Sequence, residues 1–243
     1  MRAVVRKEVR EFRRNRFVVV TMAVTPIVFL VVPMITLLGI PASASSTAVK
    51  SAAGFLSLLM LIVPIVIPPV ISAYSVVGER DQGTLEPVLT APLKPSELLL
   101  GKAAAAFAPS VVLSYAIYVI ALIVIRIAAA HVVSVVVWHA PLVLAQVLFT
   151  PLLATWSIWV GIGISTRATD VRVAQQLATL ASLPLLAFTA LISFQAITPS
   201  LPLVVALALV LLVVDVVAWR VVSQLFDSER LLTGSYARAA TTP

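Results

Sequence analysis

The sequence has no cysteine and little charge. Its 243 residues include two histidines, and only 11% of them are charged. The lack of cysteine excludes a disulfide framework and a thiolate nucleophile or metal site, and two histidines are too few to build a metal centre alone. Because 61% of the residues are hydrophobic and the mean hydropathy is +1.11, the composition indicates an integral membrane protein.

Motifs for catalysis and nucleotide binding are also missing. A P-loop requires G-x-x-x-x-G-K-[ST], but Gly101 and Lys102 are followed by Ala103, and Ser96 stands where the first glycine belongs. Neither a G-x-S-x-G nucleophile motif nor an H-E-x-x-H zinc motif occurs. We therefore expect no enzymatic activity and no cofactor bound by this chain, so any energy for uphill work must come from a partner.

Long apolar blocks dominate the chain. Each is close to the ~20 residues that cross a ~30 Å hydrocarbon core, and each is predicted to be helical because a lone strand cannot satisfy its backbone in lipid. The predicted fold is an all-α membrane protein with a transmembrane domain at 17–232 and a tail at 233–243. The six predicted spans are 17–39, 53–77, 103–126, 141–164, 175–194 and 202–219.

Residues 1–16 are basic and amphipathic. Val5, Val9 and Phe12 recur at helical spacing, which is typical of a helix lying in the headgroup plane with its arginines toward anionic lipid. A signal peptide is disfavoured, since the apolar block that follows is too long and lacks a convincing cleavage site. The predicted interfacial anchors are Arg6, Arg10, Arg13 and Arg14.

The positive charges are distributed unevenly about the spans. The net charge is +7, and of the 17 lysines and arginines only Lys50 and Arg126, the last residue of the third predicted span, lie on the second face. The other face carries both termini, and the positive-inside rule makes it cytoplasmic. The basic residues do not form a run interleaved with aromatics, so no nucleic-acid partner is expected. The prediction is a multi-pass protein of the cell membrane.

Polar side chains inside the spans leave two interpretations open. Ser110, Ser114 and Tyr118 share one face of the third span, and Gln146 and Thr150 lie in the fourth. They either line a substrate path or form hydrogen bonds between helices. Asp215 is the only candidate proton relay in the spans, and Arg220 is a possible ion-pair partner for it.

Two connections are ambiguous. The stretch 127–140 contains His131, Trp138 and His139, and it is either an interfacial or re-entrant piece or an extension of a neighbouring span. The stretch 184–202, between spans five and six, is short unless it contains a broken hairpin.

The segment 79–101 is the most polar interruption between two apolar blocks. Thr84 can cap a short helix that ends before Pro92, and Ser96 can cap the helix that becomes the third span. Leu85, Val88 and Leu89 give the short helix an apolar face, which favours docking in a groove of another protein.

Four stretches, in this order, carry a family resemblance. They are K-E-V-R-E-F-R-R-N-R (7–16), E-R-D-x-G-T-L-E-x-x-L-x-x-P-L (79–93), E-L-L-L-G-K (97–102) and S-T-R-A-T-D-V-R-V-A-Q-Q (165–176). The second is the specific one. In these stretches the chain resembles the type-2 permeases of ATP-binding-cassette exporters.

The resemblance implies a cytoplasmic coupling helix between spans two and three that rests on a separate ATPase subunit. It implies a machine of two permeases, most simply a homodimer, and two ATPases, with ATP and Mg²⁺ on the partner. The expected function is export of a hydrophobic or amphipathic substrate, such as a drug or lipid. The residues expected to couple to the ATPase are Glu79, Asp81, Gly83, Thr84, Leu85 and Glu86, with Leu89 on the same docking surface.

Two other classes stay open. A carrier or channel driven by an ion gradient would depend on Asp215. A membrane anchor subunit without transport would use the polar segment only to assemble a complex.

Overall fold

The computed structural model describes residues 5–8, 10, 12, 16–72, 77–78, 95–193 and 200–225. This part of the chain is helical and contains no strand. Its helices are α1 (Arg16–Leu38), α2 (Ser46–Ser72), α3 (Pro95–Ala128), α4 (His131–Val137), α5 (Ala140–Ser165), α6 (Val171–Ser193) and α7 (Leu201–Leu225).

Six of these helices, all except α4, are long and apolar enough to cross a membrane. The predicted fold class is therefore confirmed at the level of an all-helical protein with six candidate spans. Five of these helices, all except α2, present large apolar side chains on their outer surface, for example Ile35 on α1 and Val112 on α3. Such a surface is stable in lipid, because its apolar side chains do not contact water there.

Several helices extend beyond the predicted spans. α2 begins at Ser46 rather than 53, since the Ser45 hydroxyl accepts a hydrogen bond from the Ala48 N–H at 3.3 Å and caps the helix. α3 begins at Pro95 rather than 103, because proline is well suited to the first turn of a helix. The hydropathy pattern locates the lipid-facing part of a helix, whereas capping decides where the helix begins.

α2 lies at the centre of the bundle. In its most apolar window, 72% of the residues are buried, against 22–50% in the other five candidate spans. It packs against α1, α3, α5 and α6, with Leu56, Met60 and Ile67 in the core. A movement of α2 would therefore affect the four helices that pack against it.

α5 and α7 run parallel to each other. Phe149 and Ala208 share one apolar cluster, the rings of Trp159 and Trp219 lie 4.9 Å apart between centroids, and a Cβ at Gly163 would meet Val222. The residue numbers of facing positions therefore increase in the same direction along both helices. α6 also packs against α5, but few of its residues approach α7.

The stretch 127–140 forms a separate helix, α4, rather than an extension of either neighbour. Val133, Ser134 and Val137 are buried as α4 packs against α2 and α3. The Arg126 Nη1 on α3 donates to the Ser134 hydroxyl of α4 at 3.4 Å. In the stretch 184–202, α6 continues to Ser193 and α7 starts at Leu201, while 194–199 lie outside the described residues.

Candidate functional site

The predicted ATPase-docking segment is described only at its flanks. Val77, just before it, is fully buried and packs with Ala174 and Val171 at the start of α6. The segment and the α5–α6 connection are therefore at the same end of the bundle, which we call the basic end. The predicted coupling residues Glu79, Asp81, Gly83, Thr84, Leu85, Glu86 and Leu89 all lie outside the described residues.

A buried ion pair joins the N-terminal segment to α3 at the basic end. The Lys102 ammonium donates to the Glu8 carboxylate at 2.9 Å, and the two side chains are 2% and 4% exposed. Removing one partner of such a pair leaves a buried charge and is strongly destabilising. In the sequence Lys102 is one of the positive charges that indicate topology, and this pair is not predictable because 94 residues separate its members.

The N-terminal anchor is described in part. Residues 5–8, 10 and 12 are helical, Arg6 and Arg10 are exposed, and Phe12 packs against the main apolar core. The contact of Phe12 and the bond of Glu8 attach this segment to protein. The position of this segment in the headgroup plane stays a prediction. Arg13 and Arg14 lie outside the described residues.

The polar row on α3 is buried inside the chain. Ser110 donates to the Ala106 carbonyl at 2.8 Å and Ser114 donates to the Ser110 carbonyl at 2.7 Å. Tyr118 is 5% exposed within the apolar core. The two serines therefore bond within their own helix, and a role of the row in a substrate path stays a prediction.

Gln146 and Thr150 pair with each other on α5. The Gln146 side-chain nitrogen donates to the Thr150 hydroxyl at 3.2 Å, while the Gln146 oxygen is buried without a hydrogen-bond partner. These two residues therefore form a local pair on one helix, with one unsatisfied acceptor, rather than a bond between helices.

A proline in α5 explains a hydrogen bond between helices. Pro151 has no N–H, so the Val147 carbonyl one turn earlier loses its normal helical donor. The Tyr115 hydroxyl on α3 donates to that carbonyl at 2.6 Å. The signal for this bond was present in the sequence, since a proline inside a span predicts a free carbonyl four residues earlier.

Asp215 is buried in α7 and does not pair with Arg220. It is 5% exposed, and both carboxylate oxygens lack a hydrogen-bond partner. Residues five apart on a helix do not share a face, so the possible ion pair with Arg220 does not form. The Trp159–Trp219 contact places Asp215 at about the level of Trp156, whose indole N–H is also buried without a partner.

An apolar cavity of about 800 Å³, which we call the lateral cleft, lies at the basic end. α5 forms its floor, α6 and α7 form its walls, and Arg167 lies at its mouth. The cleft is not predictable from the sequence, because a cavity depends on how helices pack.

No group of three or more histidine, cysteine, aspartate or glutamate residues within the described ranges has the arrangement of a metal site. The predicted absence of a metal concerns the whole chain and stays a prediction.

These features define a helical multi-pass membrane protein whose described polar groups are largely bonded inside the bundle. A family model for the ABC-2 type transporter matches residues 1–218. The chain belongs to the ABC-2 type transporter family, whose permeases are membrane transport components that generally pair with an ATPase subunit. A comparison with curated proteins gives no match.

Proposed function

We propose that this chain is the permease subunit of an ATP-driven exporter. It moves a hydrophobic or amphipathic substrate out of the cell, and a separate subunit binds ATP and Mg²⁺ and hydrolyses the ATP. The complete machine contains two copies of the permease and two of the ATPase, with both permease termini in the cytoplasm. Membership of the ABC-2 type transporter family supports the transport role.

The connectivity of the polar segment carries the proposal. The segment joins α2, the most buried span, to α3. Its preceding residue Val77 packs on α6, and Lys102 ties α3 to the N-terminal segment through Glu8. A partner that moved this segment would therefore act on the centre of the bundle and on α6 together.

Residues Glu79 to Leu89 form the proposed ATPase-docking surface. Reversing a charge there weakens docking through like-charge repulsion, so Glu86→Lys is expected to uncouple ATP hydrolysis from export while the bundle stays folded. The measurement is ATPase rate and substrate flux in vesicles that contain the co-purified complex, with helicity and melting temperature of the variant recorded beside them.

Glu229→Lys is the matched control, because it reverses a glutamate that follows the last span. Normal coupling in the Glu86 variant would refute the docking role of this segment. Substrate transport by the purified chain with only an ion gradient would refute the dependence on ATP.

A second candidate, a carrier driven by an ion gradient, is favoured by one observation: Asp215 is buried and its carboxylate has no partner. Buried acids in membrane proteins commonly serve proton or ion pathways. The exporter proposal expects Asp215→Asn to retain ATP-dependent flux, whereas the carrier requires its loss together with a loss of response to the gradient.

A further inference from the structure

The lateral cleft has a length that matches one leaflet of a bilayer. It extends from Trp156 on α5 to Arg167, in the turn that follows α5, at its mouth. Eleven residues at ~1.5 Å per residue correspond to about 16 Å, which is half of a ~30 Å hydrocarbon core. A chain that follows the cleft from Arg167 therefore reaches about the middle of the bilayer.

An apolar cluster lies beyond the Trp156 end of the cleft. It includes Phe149 and Leu153 of α5 and Ala208 and Leu211 of α7, and Leu185 of α6 packs against it. Toward Arg167, residues of α6 and α7 line the cleft on either side of α5. The cleft is therefore a lateral opening between spans, accessible from the leaflet at the basic end.

The lining is apolar except at the mouth. Trp156, Trp159, Leu177 and Val217 contribute large apolar surfaces, and Gly163 lowers the floor by lacking a side chain. The volume of about 800 Å³ lies within the ~300–1,000 Å³ range of ligand sites. An acyl chain fits both the shape and the chemistry of this part.

The mouth carries one positive charge, on Arg167. Arg167 is exposed, and its guanidinium makes no ion pair or hydrogen bond to the described residues. The nearby Asp170 makes no ion pair with Arg167, and its Oδ1 accepts the N–H groups of Arg172 and Val173, at 2.6 and 3.3 Å, and caps α6. A guanidinium matches a phosphate in geometry and charge.

We infer that the lateral cleft is a binding site for an anionic phospholipid of the surrounding leaflet, with an acyl chain along α5 and the headgroup phosphate on Arg167. A second copy of this chain is the competing occupant. The site is a property of the permease alone, so it does not rest on the proposed ATPase partner.

Tryptophan quenching by brominated lipid tests this inference. Three of the four tryptophans, Trp156, Trp159 and Trp219, lie at or beside the cleft, and Trp138→Phe removes the fourth. The full chain is reconstituted in phosphatidylcholine with increasing fractions of phosphatidylglycerol brominated in mid-chain. We expect quenching to show about a fivefold preference for phosphatidylglycerol over brominated phosphatidylcholine, because one basic residue near the membrane surface raises the affinity for an anionic lipid by about that factor.

Variants of Arg167 separate the headgroup contact from general lipid contact. Arg167→Gln is expected to reduce the preference to about one, and Arg167→Lys to retain it. Arg172→Gln is the matched control, because it removes an exposed arginine outside the cleft lining and is expected to leave the preference unchanged. Equal quenching by both lipids in the unmodified protein, or an undiminished preference in Arg167→Gln, would overturn the inference.

A cross-linking experiment tests the competing occupant. The chain has no cysteine, so Val217→Cys introduces a single thiol on the wall of the cleft. We expect no disulfide between two copies and, with a bulky thiol reagent in the cleft, loss of the quenching by phosphatidylglycerol. Efficient disulfide formation between copies would show that protein rather than lipid covers the cleft.

Discussion

At the scale of single residues, hydrogen bonds compensate for groups that lipid cannot satisfy. The Ser110 and Ser114 hydroxyls donate to carbonyls of their own helix. The Tyr115 hydroxyl donates to the Val147 carbonyl, which has no helical donor because Pro151 lacks an N–H. A buried polar group without a partner is costly where no water is present. Among the described side chains Asp215 has two such atoms, whereas Ser72, Gln146 and Trp156 have one each.

The Tyr115 bond leads to a stability prediction. Tyr115→Phe is expected to lower the free energy of unfolding by about 0.6 to 2 kcal/mol, the range measured for hydrogen bonds between membrane helices. The measurement is thermal or denaturant unfolding of the purified protein in detergent. Tyr118→Phe is the control, because no hydrogen bond from that hydroxyl is present in the described residues.

The loss should depend on Pro151. In a Pro151→Ala background the restored backbone N–H can bond to the Val147 carbonyl, so Tyr115→Phe should cost less there than in the unmodified protein. An equal cost in both backgrounds would contradict the explanation.

At the scale of helices, a glycine sets the contact between α2 and α5. A Cβ at Gly161 would collide with the Ser72 hydroxyl and lie 3.1 Å from the Ser72 Cβ and 3.7 Å from the Pro69 Cα. Small residues at helix contacts allow backbones in membranes to approach closely. Since α2 is central, the position of α5, and with it the floor of the lateral cleft, depends on this contact.

Gly161→Ala is therefore expected to destabilise the bundle by about 1 to 3 kcal/mol, as overpacking of a close contact does, measured by unfolding in detergent. Gly163→Ala is the control: its Cβ would meet only a Val222 methyl group, at 3.2 Å, which can move. Adding Ser72→Ala should recover part of the loss. A Gly161 variant as stable as the Gly163 variant would show that this contact is not close.

At the scale of the whole molecule, the two connections at the basic end lie together. Val77 packs with Ala174, so the connection before α3 and the connection between α5 and α6 share one end of the bundle. That relation agrees with the charge count, which put both connections on one side. Which side faces the cytoplasm is still a prediction.

Single-cysteine labelling tests the orientation. Thr169→Cys, at an exposed position of the α5–α6 connection, is expected to react with a membrane-impermeant maleimide only after cells are permeabilised, whereas Ala42→Cys, exposed between α1 and α2, should react in intact cells. The unmodified chain, which lacks cysteine, supplies the background. The reverse pattern would invert the proposed topology.

The six helices were predictable from the sequence because their cause is local. Apolar length decides which segments enter lipid, and the backbone then bonds within the segment. α4 was harder, since a seven-residue apolar stretch such as His131–Val137 fits an interfacial piece or a span end equally well.

The candidate sites depended on contacts between segments that are distant in sequence. Lys102 looked like one more positive charge at a span end, but packing buried it against Glu8. The polar row on α3 allowed a substrate path or bonds between helices, and the packed structure shows that Ser110 and Ser114 bond to their own helix. Asp215 is near Arg220 in sequence, but in the fold its carboxylate has no hydrogen-bond partner.

The sequence by itself thus determined the class of protein, the number of candidate spans and the family, because composition, hydropathy and the run from Glu79 to Leu93 are properties of the chain. Only the tertiary structure decided which polar groups are satisfied and that a cleft lies between α6 and α7. The physical reason is that the apolar length of a segment is a local property, whereas burial and hydrogen bonds between segments arise only when the segments pack together.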